Sequence, residues 1–152
     1  ISLQQDFSQH VQQETDNHGK EMTQNALWQL FRARYGLVAS PPLALQSYRS
    51  DSQQDGQLRL TASVATQGGT RQLEGQGNGL LSAAAHGLSR WINAPFVIKD
   101  YHEHTLGERS DSRSVAYIRC LFQDGTSHWG VGIDSDVARA SIQALFNAVS
   151  RS

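Results

Sequence analysis

The same order of secondary structure is predicted twice in this chain of 152 residues, over residues 43–93 and again over residues 96–151. Each segment gives three strands and then one helix, because alternating apolar residues are followed by apolar residues at helical spacing. A three-stranded sheet with one helix is covered on one face only. We therefore expect an α+β fold in which two βββα units pack together, within one chain or between two copies. A homodimer is the natural inference.

Residue patterns also set the boundaries of the predicted elements. Pro95 ends the first of the two helices, because proline cannot continue it. Asp134 or Ser135 is expected to cap the start of the second helix. The predicted strands are residues 43–48, 58–65, 70–74, 96–102, 115–122 and 127–133, the predicted helices are 80–93 and 137–149, and residues 106–113 are predicted as a polar loop.

Three alternating glycines, Gly75, Gly77 and Gly79, stand directly before the first of these helices. The start of a helix has unpaired amide N–H groups and the positive end of the helix dipole, and together these bind anions or carboxylates. Two interpretations remain open, a ligand-binding loop and a tight strand-to-helix turn without a ligand. The spacing Gly-x-Gly-x-Gly differs from the dinucleotide-binding pattern Gly-x-Gly-x-x-Gly, which argues against a nucleotide cofactor.

The segment before the two units is different in character. Residues 1–25 are polar and glutamine-rich with few apolar anchors, so we expect partial disorder or docking on a partner that is absent from this chain. Residues 25–35 carry apolar side chains at helical spacing and are predicted as a helix. Thr23 or Asn25 is suited to cap its start, and Gly36 is suited to end it.

Composition argues against several classes of partner. The formal net charge is −1 and no basic stripe is evident, so we expect no nucleic acid partner. No apolar run approaches the ~20 residues that span a bilayer, so we expect no membrane partner. The single cysteine, Cys120, lies in an apolar run and indicates a buried, reduced thiol in a cytoplasmic protein. It has no histidine positioned beside it to activate it as a nucleophile.

Two histidines invite a metal interpretation. His102 and His104 point the same way on a predicted strand, and imidazoles bind zinc. No cysteine, aspartate or third histidine stands at a ligand spacing from them. The alternative is a polar strand end that lines a pocket or faces solvent, and we expect no metal and no cofactor in this chain.

Five short motifs carry a resemblance to a known family. They lie at residues 75–79, 100–104, 116–117 and 129–133, and in the last helix at 140–141 together with 144–151. In order and spacing they resemble the C-terminal regulatory domain of 2-isopropylmalate synthase, the leucine-feedback domain of the first committed enzyme of leucine biosynthesis. The resemblance covers about residues 43–152. It implies a βββα-βββα domain that dimerises and binds L-leucine near the dimer interface.

The resemblance also implies how the chain is organised. Residues 1–36 look like the helical tail of a linker subdomain, and residues 37–152 like the regulatory, dimerising domain. In the family, a catalytic TIM barrel binds a divalent metal, acetyl-CoA and 2-oxoisovalerate, and that barrel is not in this chain. We therefore expect this segment to be inactive as an enzyme on its own. The alternatives are the isoleucine-sensing domain of a citramalate synthase, which is closely similar, and a dimerisation module without a ligand.

Twelve positions match the family's effector site. They are Gly77, Asn78, Gly79, Leu81, Ser82, Ile98, Tyr101, Thr105, Ser112, Ser114, Ile133 and Ser135. Several of the small pocket positions carry a hydroxyl here where the family can have alanine. On physical grounds, amides after Gly79 would take the carboxylate of leucine, and backbone carbonyls or Asp100 would take its ammonium group. Leu81, Ile98 and Tyr101 would contact its side chain.

Overall fold

The computed structural model describes residues 1–18, 22–107 and 112–151. The helices of this part of the chain are α1 (Leu3–His18), α2 (Gln24–Tyr35), α3 (Leu80–Ile92) and α4 (Val137–Ser150). The strands are β1 (Ala44–Ser52), β2 (Leu58–Thr66), β3 (Gly69–Gly77), β4 (Phe96–Leu106), β5 (Arg113–Phe122) and β6 (Ser127–Asp134). The predicted α+β fold with two βββα units is confirmed. Of the predicted polar loop over 106–113, residues 108–111 lie outside the described residues.

The strands form two antiparallel sheets of three strands each. The first sheet has the order β1-β2-β3 and the second has the order β4-β5-β6. The first strand of each sheet has a β-bulge, between Leu45 and Ser47 in β1 and between Ile98 and Asp100 in β4. A bulge adds one residue to one strand and shifts the faces of the residues that follow it. The two units therefore match in detail as well as in the order of their elements.

Helices α3 and α4 lie between the two sheets. Helix α3 packs on β3 and β2, helix α4 packs on β6 and β5, and the two helices contact each other. One cluster of buried apolar residues includes Leu60 and Leu73 from the first sheet, Ile118 from the second, and Leu88 and Leu145 from the helices. The two units thus bury their apolar faces against each other within a single chain, which is one of the two expected arrangements.

The close contact between strand and helix depends on glycine in both units. A Cβ atom built on Gly75 would lie 2.0 Å from the carbonyl oxygen of Ala83, and one on Gly132 would lie 2.1 Å from that of Ala140. Each glycine therefore lets the helix backbone contact the strand directly. The predicted third strand was too short, because β3 continues through the first glycines and pairs Gly77 with Leu58.

The prediction of partial disorder or docking on an absent partner was wrong for most of residues 1–25. Residues 3–18 form α1, which packs against α2 of the same chain. The ring of Phe7 meets that of Phe31 edge to face at 5.2 Å, and Asp6 forms a salt bridge with Arg34 at 2.9 Å. Residues 19–21 lie outside the described residues. As expected, the Thr23 side chain caps α2, and Gly36 ends it in the left-handed conformation with φ of 87°.

The outer faces of the two sheets differ. Helices α1 and α2 cover the outer face of the second sheet, where Tyr35 is fully buried against Val115, Trp129 and Val131. The outer face of the first sheet carries polar side chains, including an exposed pair of Arg59 with a glutamate of β3. None of the helices in the described ranges combines the length and apolar character that a membrane crossing requires.

Candidate functional site

A cavity of about 330 Å³ lies where the starts of α3 and α4 approach strand β4. Apolar side chains from both helices form most of its lining, and two polar side chains of β4 complete it. Small-molecule sites are typically apolar concavities in which a few polar groups converge. The residues from the helices are Leu80, Leu81, Val137, Ala138, Ser141 and Ile142, and those from the strand are Tyr101 and Glu103.

The polar part of this cavity is a short hydrogen-bonded chain. The Tyr101 hydroxyl donates to Oε2 of Glu103 at 2.5 Å and lies 2.7 Å from Oγ of Ser141. The one hydroxyl hydrogen of Ser141 can go to Tyr101 or to the carbonyl oxygen of Val137, which is 2.9 Å away. Burial and the hydrogen bond to Glu103 raise the pKa of Tyr101 above its ordinary value. At neutral pH the hydroxyl therefore keeps its proton and holds one oxygen of the Glu103 carboxylate.

The start of α4 is capped by its own side chain. Oδ1 of Asp136 accepts the Ala138 N–H at 2.9 Å, and Oδ2 accepts the hydroxyl of Tyr48 at 3.3 Å. The predicted caps were one or two residues too early, because Asp134 instead accepts the N–H of Asp136. Ser135 is exposed in the turn between them. A carboxylate thus already occupies the positive end of α4.

The start of α3 has no such carboxylate. The equivalent position is Gly79, which has no side chain, and a Cβ built there would have nothing within 4 Å. The Gly79 N–H donates to Oγ of Ser82 at 3.1 Å, and the same Oγ donates to Oδ1 of Asn78 at 2.8 Å. The two helix starts are therefore equivalent in the repeat but differ in charge.

The structure brings some of the predicted site residues together. Leu81 and Tyr101 line the cavity. Asn78, Gly79 and Ser82 form the turn that starts α3 beside it.

Other predicted site residues lie further from the cavity lining. Gly77 is the last residue of β3 and packs against the first turn of α3, where a Cβ would lie 2.4 Å from Oγ of Ser82. Ile98 is half-buried against the main apolar core. Thr105 pairs with Ser114 across β4 and β5.

The remaining predicted positions lie away from this cavity. Ser112 is half-buried just before β5, and Ile133 lies on the opposite face of the second sheet, near α2. Asp100 was a candidate for the ammonium group of the ligand. It forms a salt bridge with Arg119 and lines a different cavity with Trp129, away from the cavity between the helix starts. The bulge in β4 decides which of its side chains face α4.

Sequence reasoning missed several residues that line the cavity. Glu103 stands two residues after Tyr101, and this strand spacing puts the two on one face. Ser141 stands four residues after Val137, which puts those two on one face of α4. Periodicity applied to Tyr101 was therefore a usable signal for Glu103, whereas the approach of the two helix starts was not visible in the sequence.

The histidines considered for metal binding and the cysteine considered as a nucleophile lie outside this cavity. The rings of His104 and Tyr117 stack at 5.2 Å, and those of His102 and Trp129 at 6.5 Å, on the face of the second sheet turned away from α4. Over the described ranges, no three histidine, cysteine or acidic side chains come together as metal ligands would. Burial raises the pKa of the Cys120 thiol to about 12, which leaves it protonated and unreactive at neutral pH.

Two βββα units whose helices meet at a small cavity define the class of this chain, an α+β domain built from an internal repeat. The chain belongs to the family described as the LeuA allosteric (dimerisation) domain, whose sequence model matches residues 21–152.

Similar proteins include three named as 2-isopropylmalate synthases. The one from Marinomonas sp. (strain MWYL1) is 41% identical over 148 residues, which are 96% of this chain and 26% of that protein. Those from Rhodospirillum rubrum and Thermobifida fusca are 38% and 36% identical, over 97% and 98% of this chain and 27% and 26% of their own lengths. The chain thus spans about a quarter of the length of these relatives.

Proposed function

We propose that this chain is the allosteric regulatory domain of a 2-isopropylmalate synthase and that it binds L-leucine as a feedback inhibitor. Membership of the LeuA allosteric (dimerisation) family and the names of the relatives support the assignment to that enzyme. The parent protein would condense acetyl-CoA with 2-oxoisovalerate on a catalytic TIM barrel outside this segment. The divalent metal would belong to that barrel, so we propose no cofactor and no catalysis for this segment alone.

The cavity between the helix starts is the observation that carries the proposal. Leucine presents an apolar side chain, and the cavity offers Leu81, Val137 and Ile142 as apolar contacts. Leucine also presents a carboxylate, which the positive end of a helix binds. Because Asp136 already caps α4, the start of α3 is the position left for that carboxylate.

The same reasoning gives a starting pose for the carboxylate. Leu81 is the second residue of α3, as Ala138 is the second residue of α4, where its N–H is held by Asp136. In this pose the carboxylate of leucine accepts the N–H of Leu81, as the Asp136 side chain accepts that of Ala138. Binding would then complete the helix cap that Gly79 lacks.

A thermal-shift experiment tests the proposal. Leucine at about 100 times its dissociation constant should add about 2.7 kcal/mol to the free energy of unfolding. Isoleucine and valine should act more weakly, although an apolar pocket separates such isomers by only ~1–3 kcal/mol. A larger shift with isoleucine would favour the domain of a citramalate synthase. No shift with any branched-chain amino acid, in a folded and dimeric sample, would leave a dimerisation module without a ligand.

Three further assignments belong to the same proposal. Residues 1–36 would be the tail of the linker subdomain and residues 37–152 the regulatory domain, although the family match already begins at residue 21. The chain would form a homodimer. The buried, protonated thiol of Cys120 fits the reducing cytoplasm, where we place the parent enzyme.

A further inference from the structure

The charge in the described lining of the cavity is negative. Among the described residues that line it, Glu103 is the one with a charged side chain. Its Oε2 is held by the Tyr101 hydroxyl, and its Oε1 accepts no hydrogen bond from the described residues. A negative carboxylate beside apolar side chains disfavours a neutral apolar ligand, because such a ligand would desolvate the carboxylate without pairing it. It disfavours a simple fatty acid more strongly, because like charges repel.

An α-amino acid zwitterion suits a lining that combines an open helix start with a carboxylate. Its carboxylate meets the uncapped start of α3, where the helix dipole is positive and Gly79 leaves open space. Its ammonium group, on the same α-carbon, then meets the carboxylate of Glu103 in the same lining. The start of α4 does not compete for the ligand, since Asp136 already accepts the N–H of Ala138 there.

We propose that Glu103 binds the ammonium group of the effector and thereby makes the site selective for α-amino acids over 2-oxo acids of the same carbon skeleton. The inference rests on the proposed function, and it names the residue that sets the ligand class. A 2-oxo acid shares the carboxylate and the apolar side chain of its amino acid and differs at the α-carbon, where a carbonyl replaces the ammonium group. The helix start and the apolar lining cannot distinguish the two molecules, whereas a carboxylate attracts one and repels the other.

Tyr101 and Ser141 have a positioning role in this arrangement. The Tyr101 hydroxyl fixes one oxygen of Glu103, and Ser141 lies 2.7 Å from that hydroxyl on the facing helix. The exposed Glu103 side chain would otherwise sample several rotamers, at an entropic cost on binding. The pair therefore directs the free oxygen of Glu103 at one place in the cavity.

Isothermal calorimetry on the whole chain tests this inference with two ligands, L-leucine and 4-methyl-2-oxopentanoate. Glu103→Gln keeps the size of the side chain and removes its charge. We expect leucine to bind about 10- to 100-fold more weakly to this variant, which corresponds to one charge-assisted hydrogen bond. Affinity for the oxo acid should stay the same or rise, so the ratio between the two ligands should fall.

Two matched variants separate this role from a structural one. Glu74→Gln makes the same change on the outer face of the first sheet, where Glu74 pairs with Arg59, and should leave both affinities unchanged. Tyr101→Phe removes the positioning hydroxyl but keeps the charge of Glu103. It should weaken leucine binding by less than Glu103→Gln and keep the preference for leucine over the oxo acid.

The outcomes are distinct. Unchanged leucine affinity in Glu103→Gln, or an equal loss for both ligands, overturns the role of Glu103 while leaving leucine binding in place. Failure of the unaltered chain to bind leucine overturns the proposed function and this inference with it. A falling ratio of affinities, with circular dichroism unchanged, supports both.

Discussion

At Gly79 the backbone is extended, with φ of −161°, and nothing lies within 4 Å of the position that a Cβ would take. Any residue adopts this conformation without strain. Gly79→Asp would place a carboxylate where Asp136 stands in the other unit, within reach of the start of α3. We predict that the variant loses leucine binding, because its own carboxylate takes the N–H groups and repels that of the ligand. Since aspartate is a good cap, the free energy of unfolding should stay equal or rise by a few tenths of a kcal/mol.

Calorimetry with leucine and thermal unfolding without it decide this prediction. Gly68→Asp is the matched control, because Gly68 lies in an exposed turn where the nearest atom to a Cβ is 3.9 Å away. That control should bind leucine normally. Retained leucine affinity in Gly79→Asp would move the site away from the start of α3, and loss of the fold would assign Gly79 a structural role first.

Individual residues also show which parts of the site were predictable from the sequence and which were not. Motif matching found Gly79, Leu81 and Tyr101, which the structure brings to one cavity or to its rim. It named Asp100 and not Glu103 for the ammonium group, although two-residue alternation puts Glu103 on the face of Tyr101 and Asp100 on the other. The bulge in β4 lies before both residues, and it is what puts Ile98 on the same face as Tyr101. A bulge depends on strand pairing, which a single sequence does not display.

At the scale of elements, α1 is held on α2 by a small polar cluster. Arg34 donates two hydrogen bonds to the Asp6 carboxylate, at 2.9 and 3.0 Å, and the buried Tyr35 donates a third at 2.5 Å. Burial alone would raise the pKa of Asp6, but the hydrogen bonds from Arg34 and Tyr35 outweigh it, so its pKa lies below the usual value. At neutral pH Asp6 is therefore ionised when it accepts these hydrogen bonds.

We predict that Asp6→Asn lowers the free energy of unfolding by about 1.5–3 kcal/mol at neutral pH, the usual range for hydrogen bonds to a charged group. Because the pKa of Asp6 is lower in the folded chain than in the unfolded chain, its contribution is complete above about pH 5 and is lost as pH falls through the folded pKa. The difference between the two proteins should therefore shrink in acid. Urea unfolding at several pH values measures it.

Asp16→Asn on the same helix is the control for this experiment. Asp16 is exposed and accepts a hydrogen bond from Gln12 one turn earlier, so its loss should change stability by less than about 0.5 kcal/mol. Hydrogen exchange should report faster opening of α1 in Asp6→Asn alone. Equal effects of the two substitutions would show that α1 is held by its apolar contacts, such as that of Phe7 with Phe31.

The contact between β6 and α4 leads to a second prediction for an element. Gly132→Ala would place a methyl group 2.1 Å from the carbonyl oxygen of Ala140, and backbone atoms cannot move aside as side chains can. We predict that the free energy of unfolding falls by more than about 3 kcal/mol, at the upper end of overpacking effects. Gly68→Ala in the open turn should change stability by less than about 0.5 kcal/mol. Similar urea midpoints for the two variants would contradict a direct strand-to-helix contact.

The order of the elements in both units was predictable, because alternation along β2 and β5 and the apolar stripes of α3 and α4 are local patterns. The end of β3 was not, since glycine at positions 75 and 77 normally indicates a loop. Nor was α1, whose anchors Asp6 and Phe7 contact residues far along the chain. Local periodicity predicts where helices and strands lie. Contacts between distant segments decide which glycines belong to a strand and which helices pack against the rest of the chain.

At the scale of the whole molecule, the two units differ at one point that matters for the site. Tyr48 and Tyr101 each follow their β-bulge by two residues and thus occupy equivalent positions. Tyr48 donates to the Asp136 carboxylate at the start of α4, while Tyr101 faces the cavity beside the uncapped start of α3. One half of the repeat thus carries its own carboxylate, and the other half is open to an external one. This asymmetry predicts one ligand per chain.

The assembly of the molecule gives the last prediction. The apolar faces of both units are already covered within the chain, and the outer face of the first sheet is polar, so bare sheets do not require a partner. Association instead rests on the dimerisation that the family is described by and on exposed apolar side chains such as those of Trp28, Leu106 and Val137. We predict a homodimer at tens of micromolar, with twice the mass of one chain by light scattering.

Since both units of one chain line the cavity, leucine binding should persist when dilution dissociates the dimer. A monomer at tens of micromolar would contradict the predicted homodimer. Loss of leucine affinity in step with dissociation would show that the partner chain completes the site.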